Sequence, residues 1–378
     1  MFIAPPLSIQ EREVRNAIEE LNQELRIHLR QGNRWEGALR RTTFARNVQG
    51  SNTIEGINAS VDDINAIAAG EKPAAIDHET EKALAGYQQA MTFVLQLAKS
   101  DFELSPMVLR SLHFMATSYD MIKWPGRYRP GPVYVQQERT GDIVHEGAIS
   151  ETVPALVEQL CASLAPEEDD LIRAAMMHLN FVLIHPFKDG NGRVARILQS
   201  LMLGAYGEFA PVFMTIEEFL GRRTQAYYDV LAKVGQANWN TANFDPELAR
   251  PWVRFMLTAH LNQALERKQR IASSGEAAAK MDELVAEAQF PERTAQALYT
   301  AMYDGTVTRA RYMTALADAG EPISEQTASR DLGALTRSGF LIAHGDRRGR
   351  KYSAGTSVKD AARSSGLGYA WRDIDPFE

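Results

Sequence analysis

The sequence predicts a mainly α fold, a helical core interrupted by one β-hairpin, followed by a C-terminal winged helix-turn-helix domain. Three observations carry this. Apolar residues recur at helical spacing through most of the chain, beginning with Ser8 placed as an N-cap before "IQEREVRNAIEELNQELRIHL". Only between Trp124 and Ile149 does the period fall to two. There "GRYRPGPVYVQQERTGDIVHEG" alternates around Val133 and Val135, turns at Thr140-Gly141-Asp142 and resumes at Ile143-Val144. Beyond Tyr312 the rhythm becomes helix, turn, helix, hairpin. Ser324 caps the second helix of that unit and Ser338-Gly339 ends it, with strands expected at Phe340–Ala343 and Arg350–Ser353.

In chain order, residues 1–100 read as an N-terminal helical region and 101–270 as a core domain. Asp101–Ser105 breaks the chain before the helix "PMVLRSLHFMAT". The hairpin comes next, and an isolated two-stranded hairpin is marginal in water, so it must lie on the core or reach for a ligand. In "EEDDLIRAAMMHLNFVLIHPF" the acids Glu167–Asp170 suit a helix N-terminus. Two adjoining faces of that helix are apolar, Ile172, Ala175, Met176, Leu179 and Leu183 on one and Ala174, Met177, Phe181 and Ile184 on the other, which predicts a buried central helix. Further helices fit Asn191–Tyr206, Ile216–Val234 and Arg250–Gln269. The composition shift at "IASSGEAAAK", 271–280, reads as a linker, 281–355 as the winged helix, and 356–378 as a tail without periodicity.

With 378 residues, 45% of them hydrophobic, the chain can bury a substantial core in two or three domains. A formal charge of -7 argues against a molecule that binds polyanions over its whole surface. The single cysteine, Cys161, excludes an intrachain disulfide and a thiolate metal cluster and fits an apolar helical face. No signal peptide and no apolar run long enough for a membrane span is evident, so a soluble, cytoplasmic protein is expected, with no membrane partner.

The stretch "LIHPFKDGNGRVAR", 183–196, concentrates the chemistry. Pro186 disfavours the α region at His185 and so ends the preceding helix. Gly190 and Gly192 permit a tight turn, and the next helix begins there with its N–H groups and positive dipole end uncovered, an anion site. Arg193 and Arg196, at i and i+3, reach the same anion, for which a diphosphate or triphosphate is the natural guest. Asp189 would repel phosphate unless a hard cation such as Mg²⁺ lay between them. His185, neutral near pH 7, is placed to take a proton from a hydroxyl. Phe187 reads as a core anchor and Lys188 as solvent-facing. Eight near-fixed positions at about 5% each would match by chance on the order of 10⁻¹⁰ per start position.

"HPFKDGNGR" followed by "VAR" resembles the Fic family motif at every fixed position. The resemblance, spanning roughly 35–257, implies a Fic-type helical core with the hairpin as a flap, and transfer of AMP from ATP to a Tyr, Ser or Thr hydroxyl of a protein substrate. It implies His185 as general base, Asp189 as Mg²⁺ ligand, Gly190, Asn191 and Gly192 as the anion hole, and Arg193 and Arg196 as ligands of the outer phosphates. Related Doc kinases carry Lys in place of Gly192 and bind ATP reversed, so Gly192 points to adenylyl transfer. The flap strand, with Val135 and Gln136 within reach of the nucleotide, would align a target segment along Val135–Gln137. Tyr227 and Tyr228 are similar to a tyrosine pair near the adenosine in relatives, though two core tyrosines read equally simply. Gly235 stands where some relatives have Asn.

A second short motif is "GSNTIEG", 50–56. A helix continued to Gly56 puts Ser51 and Glu55 on one face. Within a Fic-like chain this resembles the (S/T)xxxE(G/N) inhibitory motif, in which Glu55 pairs with Arg196 in the space of the γ-phosphate and Ser51 holds the helix in place. In some relatives the corresponding acid also serves removal of AMP. The C-terminal unit offers Gln326, Thr327, Ser329 and Arg330 on a recognition helix and Arg347, Arg348, Arg350 and Lys351 on a wing, against which Asp331 counts. It fits docking to DNA or to protein. A DNA-binding regulator that senses nucleotide therefore stands beside the autoinhibited adenylyltransferase as a reading, and a homodimer is open.

Overall fold

A computed structural model of the chain describes residues 1–29, 35–73, 75–136, 143–163, 169–206, 213, 215–235, 245–346, 350–367 and 371–378. The N-terminal half holds α1 (Ile9–Leu29), α2 (Glu36–Ile54), α3 (Val61–Ala68), α4 (His78–Leu97), α5 (Pro106–Thr117), the hairpin strands β1 (Tyr134–Gln136) and β2 (Ile143–Glu146), and α6 (Val153–Ala162). There follow α7 (Asp170–Ile184), α8 (Asn191–Tyr206), α9 (Glu217–Arg222), α10 (Thr224–Gly235) and α11 (Arg250–Glu287). The C-terminal unit is α12 (Ala295–Tyr303), β3 (Thr306–Val307), α13 (Arg309–Asp318), α14 (Glu325–Arg337), β4 (Leu341–His344), β5 (Lys351–Ala354) and α15 (Thr356–Ser364). The mainly α fold expected from periodicity is the one observed. No helix among the described residues is long and apolar enough to cross a membrane.

The helix predicted to be central is central. Leu179, Phe181 and Ile184 of α7 pack with Val194, Ile197, Leu198 and Leu201 of α8, all of them buried. α7 begins at Asp169, whose carboxylate accepts the N–H groups of Leu171 (3.0 Å) and Ile172 (3.3 Å). Glu167 and Glu168 lie outside the described residues. At the N-terminus, Ser8 and Glu11 cap each other reciprocally, Glu11 N–H to Ser8 Oγ at 3.2 Å and Ser8 N–H to Glu11 Oε2 at 2.8 Å. The same buried Glu11 accepts hydrogen bonds from Arg250 and Arg254 and so fastens α1 to α11.

The hairpin is short and lies on the core. Its pairs are Tyr134↔Glu146 and Val135↔His145, with a bulge between Val135 and Gln136. Ala148 N–H donates to Ile184 O (3.2 Å) and His145 Nε2 to Leu183 O (2.8 Å), so the base of the hairpin is tied to the end of α7. The turn expected at Thr140-Gly141-Asp142 and the end of the strand at Gln137 lie outside the described residues.

Three boundaries differ from the sequence reading. Residues 271–280, read as a linker, are the middle of one continuous helix, α11. Ser273, Ser274 and Ala277 are buried, and Tyr303 Oη donates to Ser274 O (3.0 Å), so small side chains there let the C-terminal unit approach closely. The helix expected over Ile216–Val234 is broken at Arg223 into α9 and α10. The tail contains α15, and its last residues return to the core, where Asn262 Nδ2 donates to Ile374 O and Ile374 N–H to Asn262 Oδ1, both at 2.8 Å.

The C-terminal unit has its own core, with Leu298, Tyr312, Leu332, Leu335, Leu341 and Val358 at its centre, and a three-stranded antiparallel sheet in the order β3-β5-β4. Ser324 caps α14 by accepting Thr327 N–H at 3.1 Å, and Gly339, at φ 81°, follows its end. Arg347 and Arg348 lie outside the described residues. The unit bears on the N-terminal helices through Arg311–Glu71 (2.7 Å) and through Thr42 Oγ1, which donates to Asp304 Oδ1 (3.3 Å).

Candidate active site

His185 follows the last residue of α7 at φ 52°, ψ 60°, a left-handed conformation for a non-glycine residue. Pro186 excludes the α region and the chain turns sharply here. Arg129 holds that turn, donating to His185 O through Nε (2.7 Å) and also to Gly131 O and Ala148 O, while its own N–H donates to Pro186 O (3.0 Å). The imidazole is half-buried. Nδ1 donates to Val182 O at 3.1 Å, which leaves the lone pair on Nε2. Burial pushes the ring's pKa down to about 4, against the small opposing effect of the Val182 bond, so it is neutral near pH 7.

Phe187–Gly190 then lead into α8. Phe187 is buried and stacks on His113, ring centroids 3.8 Å apart and 1° from parallel. His113 Nε2 donates to Asp189 O (3.0 Å) and its Nδ1 accepts Gly126 N–H (2.9 Å). Asn191 closes the loop from the other side. Its amide accepts Phe187 N–H (2.9 Å) and donates to Phe187 O (2.8 Å), so its side chain braces the turn and only its backbone is left to an anion. Gly190 takes φ 77°. Gly192, expected also to need positive φ, is helical, and its requirement is space. A methyl group there would stand 2.6 Å from Glu55 Oε1 and 3.1 Å from Arg196 Nη1.

Both arginines are buried, each 1% exposed. Arg193 Nη1 donates to Ala116 O (3.2 Å). Arg196 Nε donates to Ser51 Oγ (2.7 Å), and its Nη2 to Ser51 O (2.9 Å) and Glu55 Oε1 (2.7 Å). Arg193 Nε and Arg196 Nη1 have no hydrogen-bond partner. Two buried guanidinium N–H groups left unpaired beside a helix N-terminus fit a phosphate chain. Burial alone would lower the Arg196 pKa, but the charge of Glu55 overrides it and the net shift is upward.

Asp189 is partly exposed. Oδ1 accepts Gly190 N–H (2.5 Å), and Oδ2 pairs with Lys123 Nζ at 2.9 Å. Burial works against its charge, yet Lys123 and Arg193 hold its pKa below the usual value. A carboxylate beside a phosphate cradle, with one oxygen held only by an ammonium, suits a cation that takes its remaining ligands from phosphate and water. Among the described residues no group of three or more acids, histidines or cysteines could hold a metal by protein ligands alone.

The "SNTIEG" segment meets this cradle from α2. Glu55 is the C-cap, Gly56 follows at φ 75°, and Ile57 N–H donates to Asn52 O (3.0 Å), so the helix stops where the sequence reading stopped it. Ser51 is fully buried. One residue earlier, α2 crosses α9 with backbones nearly touching. A methyl group on Gly50 would lie 2.2 Å from Glu217 O, and one on Gly221 2.6 Å from Gly50 Cα.

The structure thus brings together His185, Asp189–Gly192, Arg193, Arg196, Ser51 and Glu55. The two tyrosines border this group, their ring centroids 5.5 Å apart. Tyr227 is buried, with Oη 2.8 Å from His178 Nε2 and its ring among His178, Trp252 and Phe255, a core position that also adjoins Arg196. Tyr228 is partly exposed and donates to Ile54 O (3.1 Å) at the end of α2. Val135 and Gln136 are in the flap strand. Gly235 lies against the flap, where a methyl group would be 3.3 Å from His145 Nδ1. Cys161 is buried and its thiol is pushed up to about 11 by burial. Sequence reasoning missed Lys123, His113 and the bracing role of Arg129. The only local signal was the cluster of cations around "IKWPGRYR".

Residues 103–203 match the Fic/DOC family model. The chain is 32% identical over 142 residues to the protein adenylyltransferase fic-1 of Caenorhabditis elegans, covering 38% of this chain and 24% of that protein. It is 29% identical over 109 residues to a probable protein adenylyltransferase of Aquifex aeolicus, 28% of this chain and 29% of that protein. The chain thus spans about a quarter of the length of these relatives. A Fic family protein from Desulfovibrio desulfuricans G20 shares the fold with a TM-score of 0.60 at 20% identity, covering 94% of this chain and 99% of that one.

Proposed function

We propose that this chain, which carries a Fic domain across residues 103–203, is an autoinhibited protein adenylyltransferase. The observation that carries the reading is a neutral imidazole with a free Nε2, set beside a helix start whose two buried arginines have unpaired N–H groups. ATP would lay its phosphates on the N–H groups of Gly190–Arg193, with Arg193 and Arg196 taking the outer two. His185 Nε2 would remove the proton from a Tyr, Ser or Thr hydroxyl of a target protein. The oxygen then bonds to the α-phosphorus, the bond from that phosphorus to the bridging oxygen breaks, and pyrophosphate leaves. Asp189 Oδ2 would hold Mg²⁺, which when bound offsets phosphate charge. The open edge of β1 would align the target chain.

Glu55 and Ser51 occupy Arg196, so the resting chain binds ATP weakly or in an unproductive pose. Incubation with α-³²P-ATP and γ-³²P-ATP, using the Glu55→Gly chain and a cell lysate, tests the assignment. Label from α alone on protein is expected. Label from γ would instead indicate a kinase, and label from neither would remove the enzymatic reading.

One observation favours a second activity in the C-terminal unit. Asp331, which counted against DNA, is buried and paired with Arg293 at 2.8 and 3.0 Å, leaving Arg330 and Arg337 on the exposed face of α14. Salt-dependent retention of the chain on duplex DNA, lost in Arg330→Ala, is the expected result for that reading.

A further inference from the structure

Lys123 lies outside every motif read from the sequence, yet its ammonium is the closest cation to Asp189. Nζ is 2.9 Å from Asp189 Oδ2 and 2.7 Å from Tyr119 Oη. We infer that Lys123 is a resident counter-cation for Asp189, holding that carboxylate until a divalent cation displaces it, and so sets the metal concentration the site requires. The inference rests on the reading of Asp189 as the metal ligand.

Four features separate this pair from an ordinary surface ion pair. The two oxygens of Asp189 are divided. Oδ1 is committed to Gly190 N–H, so Oδ2 is the oxygen a metal would use, and it is the one Lys123 holds. The lysine is placed by a constrained turn. Asp120 Oδ1 accepts Ile122 N–H (2.9 Å), Trp124 sits at φ 57° and ψ 58°, and Pro125 is buried. A left-handed tryptophan is rare and persists only where its surroundings fix it. Lys188 adds a strap across the site, donating from Nζ to Ile122 O (3.1 Å).

The ammonium also has somewhere to go. Its other partner, Tyr119 Oη, lies 3.5 Å from Arg193 Nη1, and Lys123 Nζ is 4.8 Å from the Tyr119 ring centroid. Released from Oδ2, Nζ keeps Tyr119 and remains on the phosphate side of the pocket. Finally, an ammonium and a divalent cation cannot share one carboxylate oxygen, because like charges at that separation repel. Metal binding and the Lys123–Asp189 bond therefore exclude each other.

Mn²⁺ with ADP is the probe, since ADP has no γ-phosphate to meet Glu55. Free Mn²⁺ is read by electron paramagnetic resonance against the full chain, Lys123→Met, Lys123→Gln and Lys123→Arg, with thermal melting as the folding control. Removing one charge-assisted bond predicts Mn²⁺ affinity about 10- to 100-fold tighter in the Met and Gln variants. The Arg variant should stay near the parent, which a merely structural role would not require. Adding Asp189→Asn to Lys123→Met should abolish the gain. Equal or weaker Mn²⁺ affinity in whichever neutral variant melts like the parent overturns the inference. If α-label transfer is seen while Mn²⁺ affinity is unmoved, the Lys123 assignment falls alone. If neither label transfer nor Mn²⁺–ADP binding is seen in any variant, both readings fall.

Discussion

Replacing Glu55 by glycine should release the site, and the structure sets the size of the effect. Arg196 has three hydrogen bonds, two to Ser51 and one to Glu55 at 2.7 Å, and only the last carries opposite charge. A hydrogen bond to a charged group contributes roughly 1.5–3 kcal/mol. Every 1.4 kcal/mol is about tenfold. A phosphate that no longer competes for that guanidinium should therefore bind ~10- to 100-fold more tightly. Glu55→Gln keeps the shape and a bond to the Arg196 cation but loses the opposite charge, so its gain should be smaller than that of Glu55→Gly. The assay is α-³²P incorporation at subsaturating ATP, with calorimetric Kd values for an α,β-methylene ATP. The expected order is Gly above Gln above parent in both measurements. If both variants label and bind like the parent, Glu55 does not control Arg196 and the autoinhibition argument is refuted.

Further outcomes follow from the same geometry. His185→Ala should lower labelling by about 10²- to 10⁴-fold while leaving nucleotide affinity near the parent value, since only proton removal is lost. With the His185 pKa near 4, the imidazole is neutral above that value, so the labelling rate of Glu55→Gly should be flat from about pH 5.5 to 8 as far as this base is concerned and fall in acid. Buried His113, His178 and His260 have folded values near 4, 3 and 3, below their unfolded value of 6.5. Between those limits the unfolded chain takes up protons and the folded chain does not. Stability is then complete above about pH 6.5 and is lost as pH falls, by about 1.4 kcal/mol per pH unit per histidine. A urea midpoint that does not move between pH 7 and pH 5 would contradict this. Gly50→Ala, which puts a methyl group 2.2 Å from Glu217 O, should push α2 off α9, raise labelling as Glu55→Gly does, and lower the melting temperature through about 1–3 kcal/mol of overpacking. Labelling no higher than the parent in a folded Gly50→Ala chain would show that the crossing does not position Ser51 and Glu55.

The site was legible wherever its parts are neighbours in sequence. His185, Pro186, the glycines and the two arginines lie within one helix end and the next helix start, and backbone rules alone place them together. The meeting of Glu55 with Arg196 spans 141 residues, and only family resemblance predicted it. Lys123 and His113 were missed because their partners, Asp189 and Phe187, come from another part of the chain, and a cluster of cations around Lys123 does not by itself name a partner. The error at 271–280 has a similar origin. Ser, Gly and Ala signal flexibility in isolation, but here they are small residues under Tyr299 and Tyr303 of the C-terminal unit and beside Trp35 ahead of α2. Tyr227 and Tyr228 are adjacent on α10, so the helix turns one into the core beside Arg196 and leaves the other partly exposed, bonded to Ile54 O at the end of α2.

Inhibition and stability share a group in this reading, and that limits how activation can work. A buried guanidinium stripped of its counter-charge is costly, and breaking a buried pair typically destabilises by about 3–5 kcal/mol. Arg196 keeps Ser51 when Glu55 leaves, so its loss lies toward or below the low end of that range. The open state would therefore be strained until something anionic replaces the carboxylate, and under the proposed function that replacement is the phosphates of ATP. Loss of Glu55 should then make the fold more dependent on nucleotide. The melting temperature of Glu55→Gly should lie below the parent without ATP and recover more on adding ATP than the parent does, because ligand stabilisation grows with affinity as RT ln(1 + [L]/Kd). The far end of α2 is held by the C-terminal unit through Thr42 and Asp304, so the helix proposed to silence the site is anchored outside the proposed site. A partner docking on that unit could act on Arg196 only by moving α2, and the Gly50–Gly221 crossing, where the backbones leave no room to slide, is the point that would have to give.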